Sequence, residues 1–97
     1  MVAHSNYLFP IIQNQKTGYI DSEGKTIIEP CFDLAGNFSE GLAPVKNSGC
    51  WNYIDFKGQY VFKSLPNLKF VCDFSEGLAA VNENNLWGYI NQLGEII

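Results

Sequence analysis

The chain has 97 residues, a net charge of −4, 46 % hydrophobic residues and 14 % aromatic ones. That length suits a single domain, 1–97, with a modest core that buries about 60–65 % of the unfolded surface, and the apolar content excludes a disordered chain. All six basic residues are Lys; without Arg to grip phosphates or guanine edges, an acidic chain is a poor nucleic-acid binder, and a basic protein is the partner its charge favours.

At the N-terminus, Met1–Pro10 has neither a basic start nor a long apolar stretch, so no secretory leader is expected. No apolar run approaches the ~18 residues a membrane span needs. Cys31, Cys50 and Cys72 form an odd set without a Cys-x-x-Cys pair, which fits a reducing compartment and three packing side chains. The expected location is therefore cytoplasmic. His4 is the single histidine, so a Cys/His metal site lacks ligands, and no cofactor is expected.

Repetition dominates the rest of the chain. Phe38-Ser-Glu-Gly-Leu-Ala43 returns as Phe74-Ser-Glu-Gly-Leu-Ala79, and Trp51-Asn-Tyr-Ile-Asp55 returns as Trp87-Gly-Tyr-Ile-Asn91, both 36 residues on. Thr17-Gly-Tyr-Ile-Asp21 lies 34 residues before Trp51, and Leu8-Phe-Pro-Ile11 stands 34 before Leu42-Ala-Pro-Val45. Gly24, Gly58 and Gly94 each follow Asp21, Asp55 and Asn91 by three. Three copies result, about 4–37, 38–73 and 74–97, and the first lacks the Phe, Glu and Gly of the hexapeptide.

Each copy reads as β structure. In the second, Leu42–Lys46 is an apolar run, Asn47-Ser-Gly49 a turn, and Cys50–Asp55 an alternating strand. Asp55-Phe-Lys-Gly58 makes another turn, and Gln59–Phe62 a third strand. The expected fold class is all-β: three repeated three-stranded antiparallel meanders in a solenoid or propeller-like array, with closure slightly favoured because it removes exposed edges. The connectors Glu29–Gly41 and Lys63–Gly77 carry Phe32, Leu34, Phe38, Leu68, Phe70 and Phe74, so they pack down between sheets rather than project into solvent.

Trp-Gly-Tyr-Ile, a Gly-containing turn, an apolar strand, Pro and then Phe-Ser-Glu-Gly-Leu-Ala-x-Val together resemble the WG-repeat family, also called KWG repeats. The likeness runs from about Leu8 to Ile97. Thr17 replaces the Trp in the first copy, Asn52 the Gly in the second, and Asn91 the Asp in the third. The resemblance implies β-rich structural modules, found mostly in bacteria and often in longer arrays, with no shared catalytic activity. It carries over no catalytic residue.

The residues themselves agree that this is not an enzyme. Ser39/Glu40 and Ser75/Glu76 have no His beside them to activate a nucleophile. Both pairs read as tight turns, with Ser bonding a nearby backbone N–H and Gly41 or Gly77 making the bend. Asp21, Asp55 and Asn91 read as turn residues, since each loop offers too few oxygens for calcium. Trp51 and Trp87, with Tyr53 and Tyr89, are either core between sheets or, if exposed, a platform for a glycan or small molecule. Phe56 and Leu93 sit at turn tips whose counterparts are polar; such residues either pack locally or meet a partner. Phe56, Leu93, Glu40 and Glu76 are the candidate partner-binding residues. Glu95-Ile-Ile97 stops inside a strand, an edge that pairs within the monomer, with a partner strand or with a second copy in a homodimer. The expected function is a non-catalytic protein-interaction module, in its sharpest form a small inhibitor or immunity-type protein. The alternative is glycan or small-molecule binding through the aromatic ladder.

Overall fold

In a computed structural model of the chain, residues 8–62 and 68–97 are described, and they form only strands, turns and bridges. The expected start of the first copy near His4 and Ser5, and Pro66 in the second connector, lie outside the described residues. Among the described residues, nine strands fall into three antiparallel sheets. The first contains β1 (Phe9–Gln13), β2 (Lys16–Ile20) and β3 (Thr26–Phe32). The second contains β4 (Leu34–Ala35), β5 (Ala43–Asn47) and β6 (Cys50–Ile54). The third contains β7 (Leu68–Val71), β8 (Leu78–Glu83) and β9 (Leu86–Asn91). The all-β repeat architecture is as the sequence implies.

The tight hairpins β1–β2, β5–β6 and β8–β9 turn on two residues with positive φ: Asn14/Gln15, Ser48/Gly49 and Asn84/Asn85. Asn and Gly tolerate that region best, and such a turn matches the twist of the flanking strands. After β2, β6 and β9 the chain turns again on Asp21, Asp55 and Asn91. Each side-chain Oδ1 accepts two backbone N–H groups, from Glu23 and Lys25, Lys57 and Gln59, or Leu93 and Glu95, at 2.9–3.1 Å. Asn91 serves as well as Asp because the turn needs the oxygen and not the charge.

The second meander differs from the expected one. Gln59–Phe62 does not form a ladder; it is reduced to a single bridge, Ile54↔Tyr60. In the first sheet β3 bulges against Gly18, where an added Cβ would lie 2.4 Å from the Ile28 carbonyl oxygen and 2.5 Å from the Pro30 nitrogen. Asn52 stands at that place in the second copy, and its Nδ2 donates to the Phe62 carbonyl at 3.0 Å. The third copy has Gly88 there, yet its last segment is likewise held by a single bridge, Ile90↔Ile96, so this position alone does not set the pairing. The second and third sheets instead take their outer strands, β4 and β7, from the connectors. Of the connector residues expected to pack down, Phe32, Phe38, Leu68 and Phe74 do so, whereas Leu34 and Phe70 stay exposed on the short strands that pair with the sheets.

Two separate cores lie between successive sheets. One gathers Leu8, Tyr19, Ile28 and Phe32 of the first copy against Ala43, Val45 and Ile54 of the second. The other gathers Leu42, Tyr53, Phe62 and Leu68 of the second against Phe74, Ala79, Val81 and Ile90 of the third. Stepping by 34 and then 36 residues converts the first set into the second, except that Phe74 answers to Phe38, which is only partly buried. Strand β6 is buried on both faces, Tyr53 entering one core and Ile54 the other. The three cysteines are surface residues, not packing ones.

Candidate interaction surface

The repeated Phe-Ser-Glu-Gly segment holds one copy to the next. In both, Glu and Gly have positive φ: 56° and 83° at Glu40 and Gly41, 54° and 83° at Glu76 and Gly77. Ser39 and Leu42 exchange backbone hydrogen bonds across this turn at 2.8 and 3.1 Å, and Ser75 and Leu78 do so at the same distances. The Ser39 hydroxyl does not bond a nearby N–H. It donates to the carbonyl of Phe74 at 2.7 Å, in the following copy. The Glu40 carboxylate likewise reaches the next turn, accepting the backbone N–H groups of Glu76 and Gly77 and the Gln92 amide. Consecutive left-handed residues point their N–H groups into one concavity, which suits an anion.

A tyrosine completes each junction. Tyr19 donates to the Gly36 carbonyl at 2.7 Å and meets the Phe38 ring edge-on at 4.9 Å. Tyr53 donates to the Cys72 carbonyl at 2.6 Å and meets the Phe74 ring edge-on at 4.8 Å. Both are fully buried, and burial is the main cause that pushes each phenol's pKa far above its ordinary value, with Asp73 adding to it. Tyr89, the third of the series, is 53 % exposed.

The candidate partner residues sort differently in space. Phe56 is half-buried and stacks on Phe38 with centroids 4.7 Å apart, so its ring is engaged within the chain. Glu40 is engaged in the junction. Leu93 is 77 % exposed, and Glu76 is exposed with its carboxylate unbonded among the described residues. The aromatic ladder divides. Trp51 is partly buried against the second core, its Nε1 without a partner among the described residues, while Trp87 is 61 % exposed and stacks on Phe70 at 6.4 Å. Sequence reasoning missed a groove of about 250 Å³ beside β9, lined by Leu86, Trp87, Gly88 and Ile96 among others. Gly88 was its signal: no atom lies within 4 Å of a Cβ there, whereas β3 fills the matching place at Gly18.

Among the described residues no group of three His, Cys, Asp or Glu side chains could hold a metal, and no helix is long and apolar enough to cross a membrane. Chain-wise periodicity and matching junctions define an all-β repeat protein. The family model for the WG containing repeat matches residues 18–51, 66–87 and 87–97, so the chain belongs to the WG-repeat family. No curated protein and no solved structure matches it.

Proposed function

We propose that this chain is a non-catalytic protein-interaction module that binds a partner through its third sheet. The observation that supports it is how many large apolar side chains the third sheet and its last turn leave exposed: Phe70, Leu86, Trp87, Leu93, Ile96 and Ile97. Exposed apolar side chains in that number, with a groove beside β9, favour contact with another macromolecule. The net charge of −4 favours a basic partner, and an inhibitor or immunity-type role is the form of this reading that a small acidic binder suits best. Catalysis has little support: the Ser39 hydroxyl and Glu40 carboxylate are both engaged in holding repeats together.

A second reading rests on the exposed Trp87 stacked on Phe70, a flat aromatic face of the sort that sugars stack on. One comparison separates the two. The wild-type chain and a Trp87→Ser/Leu93→Ser variant are each used to capture proteins from the native host and to probe a glycan array. A specific protein retained by wild type and lost by the variant supports the interaction reading. Identical protein sets, with a glycan signal that vanishes in the variant, would favour the second.

A further inference from the structure

The third copy ends in a surface that the first two copies use to bind their successors. Tyr19 and Tyr53 are buried by the following joint, and Tyr89 is not. Leu8 and Leu42 are buried in the two cores, and Leu78, at the same place in the motif, lies at the surface. Ser39 and Glu40 bond the following turn, while Ser75 and Glu76 show no such bond among the described residues.

The surface is nonetheless already in its binding geometry. The turn at Glu76–Gly77 has the same φ angles and closing bonds as the turn at Glu40–Gly41. Ala80 pairs with Tyr89 and Ala79 with Ile90, as Pro44 pairs with Tyr53 and Ala43 with Ile54. Preorganisation of this kind removes much of the ordering cost of binding.

We propose that the outer face of the third sheet, formed by Leu78 and Tyr89 with Ser75 and Glu76, binds a partner protein that presents an aromatic–Ser–Glu–Gly turn of the same WG-repeat kind. The internal junctions specify the contacts. The partner's aromatic ring meets Tyr89 edge-on, and the carbonyl two residues before that ring accepts the Tyr89 hydroxyl. The carbonyl of the aromatic residue accepts the Ser75 hydroxyl, and two successive N–H groups of the turn meet the Glu76 carboxylate. A second intact copy is a poor source of that turn. Its Phe38 and Phe74 rings are held by its own Tyr19 and Tyr53, and its first copy has His4 in place of the Phe. The proposal rests on the interaction-module reading and names the site and the partner's chemistry.

The test titrates the full 97-residue chain with a synthetic peptide of residues 70–81, carrying Cys72→Ser to prevent oxidation, and follows it by two-dimensional NMR. Saturable shifts centred on Leu78, Tyr89 and the Ser75–Glu76 turn are expected. Glu76→Gln in the chain should weaken the peptide about tenfold, as loss of a charge-assisted pair does. Tyr89→Phe should weaken it about threefold to tenfold, and a Phe74→Ala peptide should not bind measurably. Both protein substitutions are at exposed positions, so the fold survives them. Lack of saturable shifts, shifts that map elsewhere, or affinities unchanged by both substitutions would overturn the proposal. So would a dimer in sedimentation that Tyr89→Ala abolishes, because a second copy would then be the occupant. If the peptide fails while Trp87→Ser/Leu93→Ser still loses a captured protein, the interaction reading stands and only this assignment falls.

Discussion

Three tyrosines in the same local words meet different fates. The Tyr53 hydroxyl donates to the Cys72 carbonyl inside a dry junction, so Tyr53→Phe leaves that acceptor without its donor and should cost about 1–2 kcal/mol in denaturant unfolding. Tyr89→Phe, at an exposed ring, should stay within about 0.5 kcal/mol of wild type. The buried phenols also set an alkaline limit. Their folded pKa values lie above the ordinary one of about 10, so their contribution is intact below that pH and is lost as pH rises past it. Tyr19 and Tyr53 should therefore ionise only as the fold opens, with the rise in tyrosinate absorbance tracking loss of far-ultraviolet ellipticity. Asp33 works at the other end of the scale. The Lys16 ammonium and the Ser48 N–H hold its carboxyl below the usual carboxylate range. Its contribution is present above about pH 4 and disappears as pH falls through the lowered folded value. The difference in Tm between wild type and Asp33→Asn should accordingly close in strong acid; a difference that persists there would assign it to something other than this charge.

At the scale of the strand, the glycine of the motif meets different surroundings in different copies. A Cβ at Gly18 would lie 2.4 Å from the Ile28 backbone, whereas at Gly88 nothing lies within 4 Å. Gly18→Ala should thus displace β3 and cost about 1–3 kcal/mol, while Gly88→Ala should be neutral or slightly stabilising, because Gly in a strand has more freedom to lose. Paired chemical denaturation curves measure both. These positions also mark how far the sequence could be read. The three copies, the Asx turns and the packed connectors were legible because each depends on residues close together in sequence. That the Asn52 amide would bond the Phe62 carbonyl was not legible, since the two lie ten residues apart. The target of Ser39 lies 35 residues off, and that of Glu40 36 and 37 off, so the hexapeptide announces a turn without announcing a clamp. Trp87 and Tyr89 carry the same motif as Trp51 and Tyr53; their exposure depends on whether another copy packs against the sheet, which no residue within the motif encodes.

Across the whole molecule the two cores share no side chain, and the first and third sheets share no core. Such a chain behaves as units coupled to nearest neighbours, so damage at one junction should remain there. Phe74 is the largest fully buried side chain that the third copy brings to the second junction: its ring is 1 % exposed, packs edge-on against Tyr53, and its carbonyl takes the Ser39 hydroxyl. Phe74→Ala removes the ring and leaves a cavity worth about 3–5 kcal/mol. A domain of this size is held by only about 5–15 kcal/mol in total, so the loss is comparable with the stability of one junction. The first junction keeps its own aromatic set, Tyr19, Phe38 and Phe56, untouched. Native-state hydrogen exchange on Phe74→Ala should therefore show protection falling first in β8 and β9, with the β1–β2 ladder retaining most of its own. If protection instead falls by equal factors in all three sheets, the chain is a single cooperative unit in which the junctions do not act separately. The same measurement on Phe38→Ala should invert the gradient only in part, because loss of that ring loosens the first junction and removes the support under Phe56 on the turn after β6.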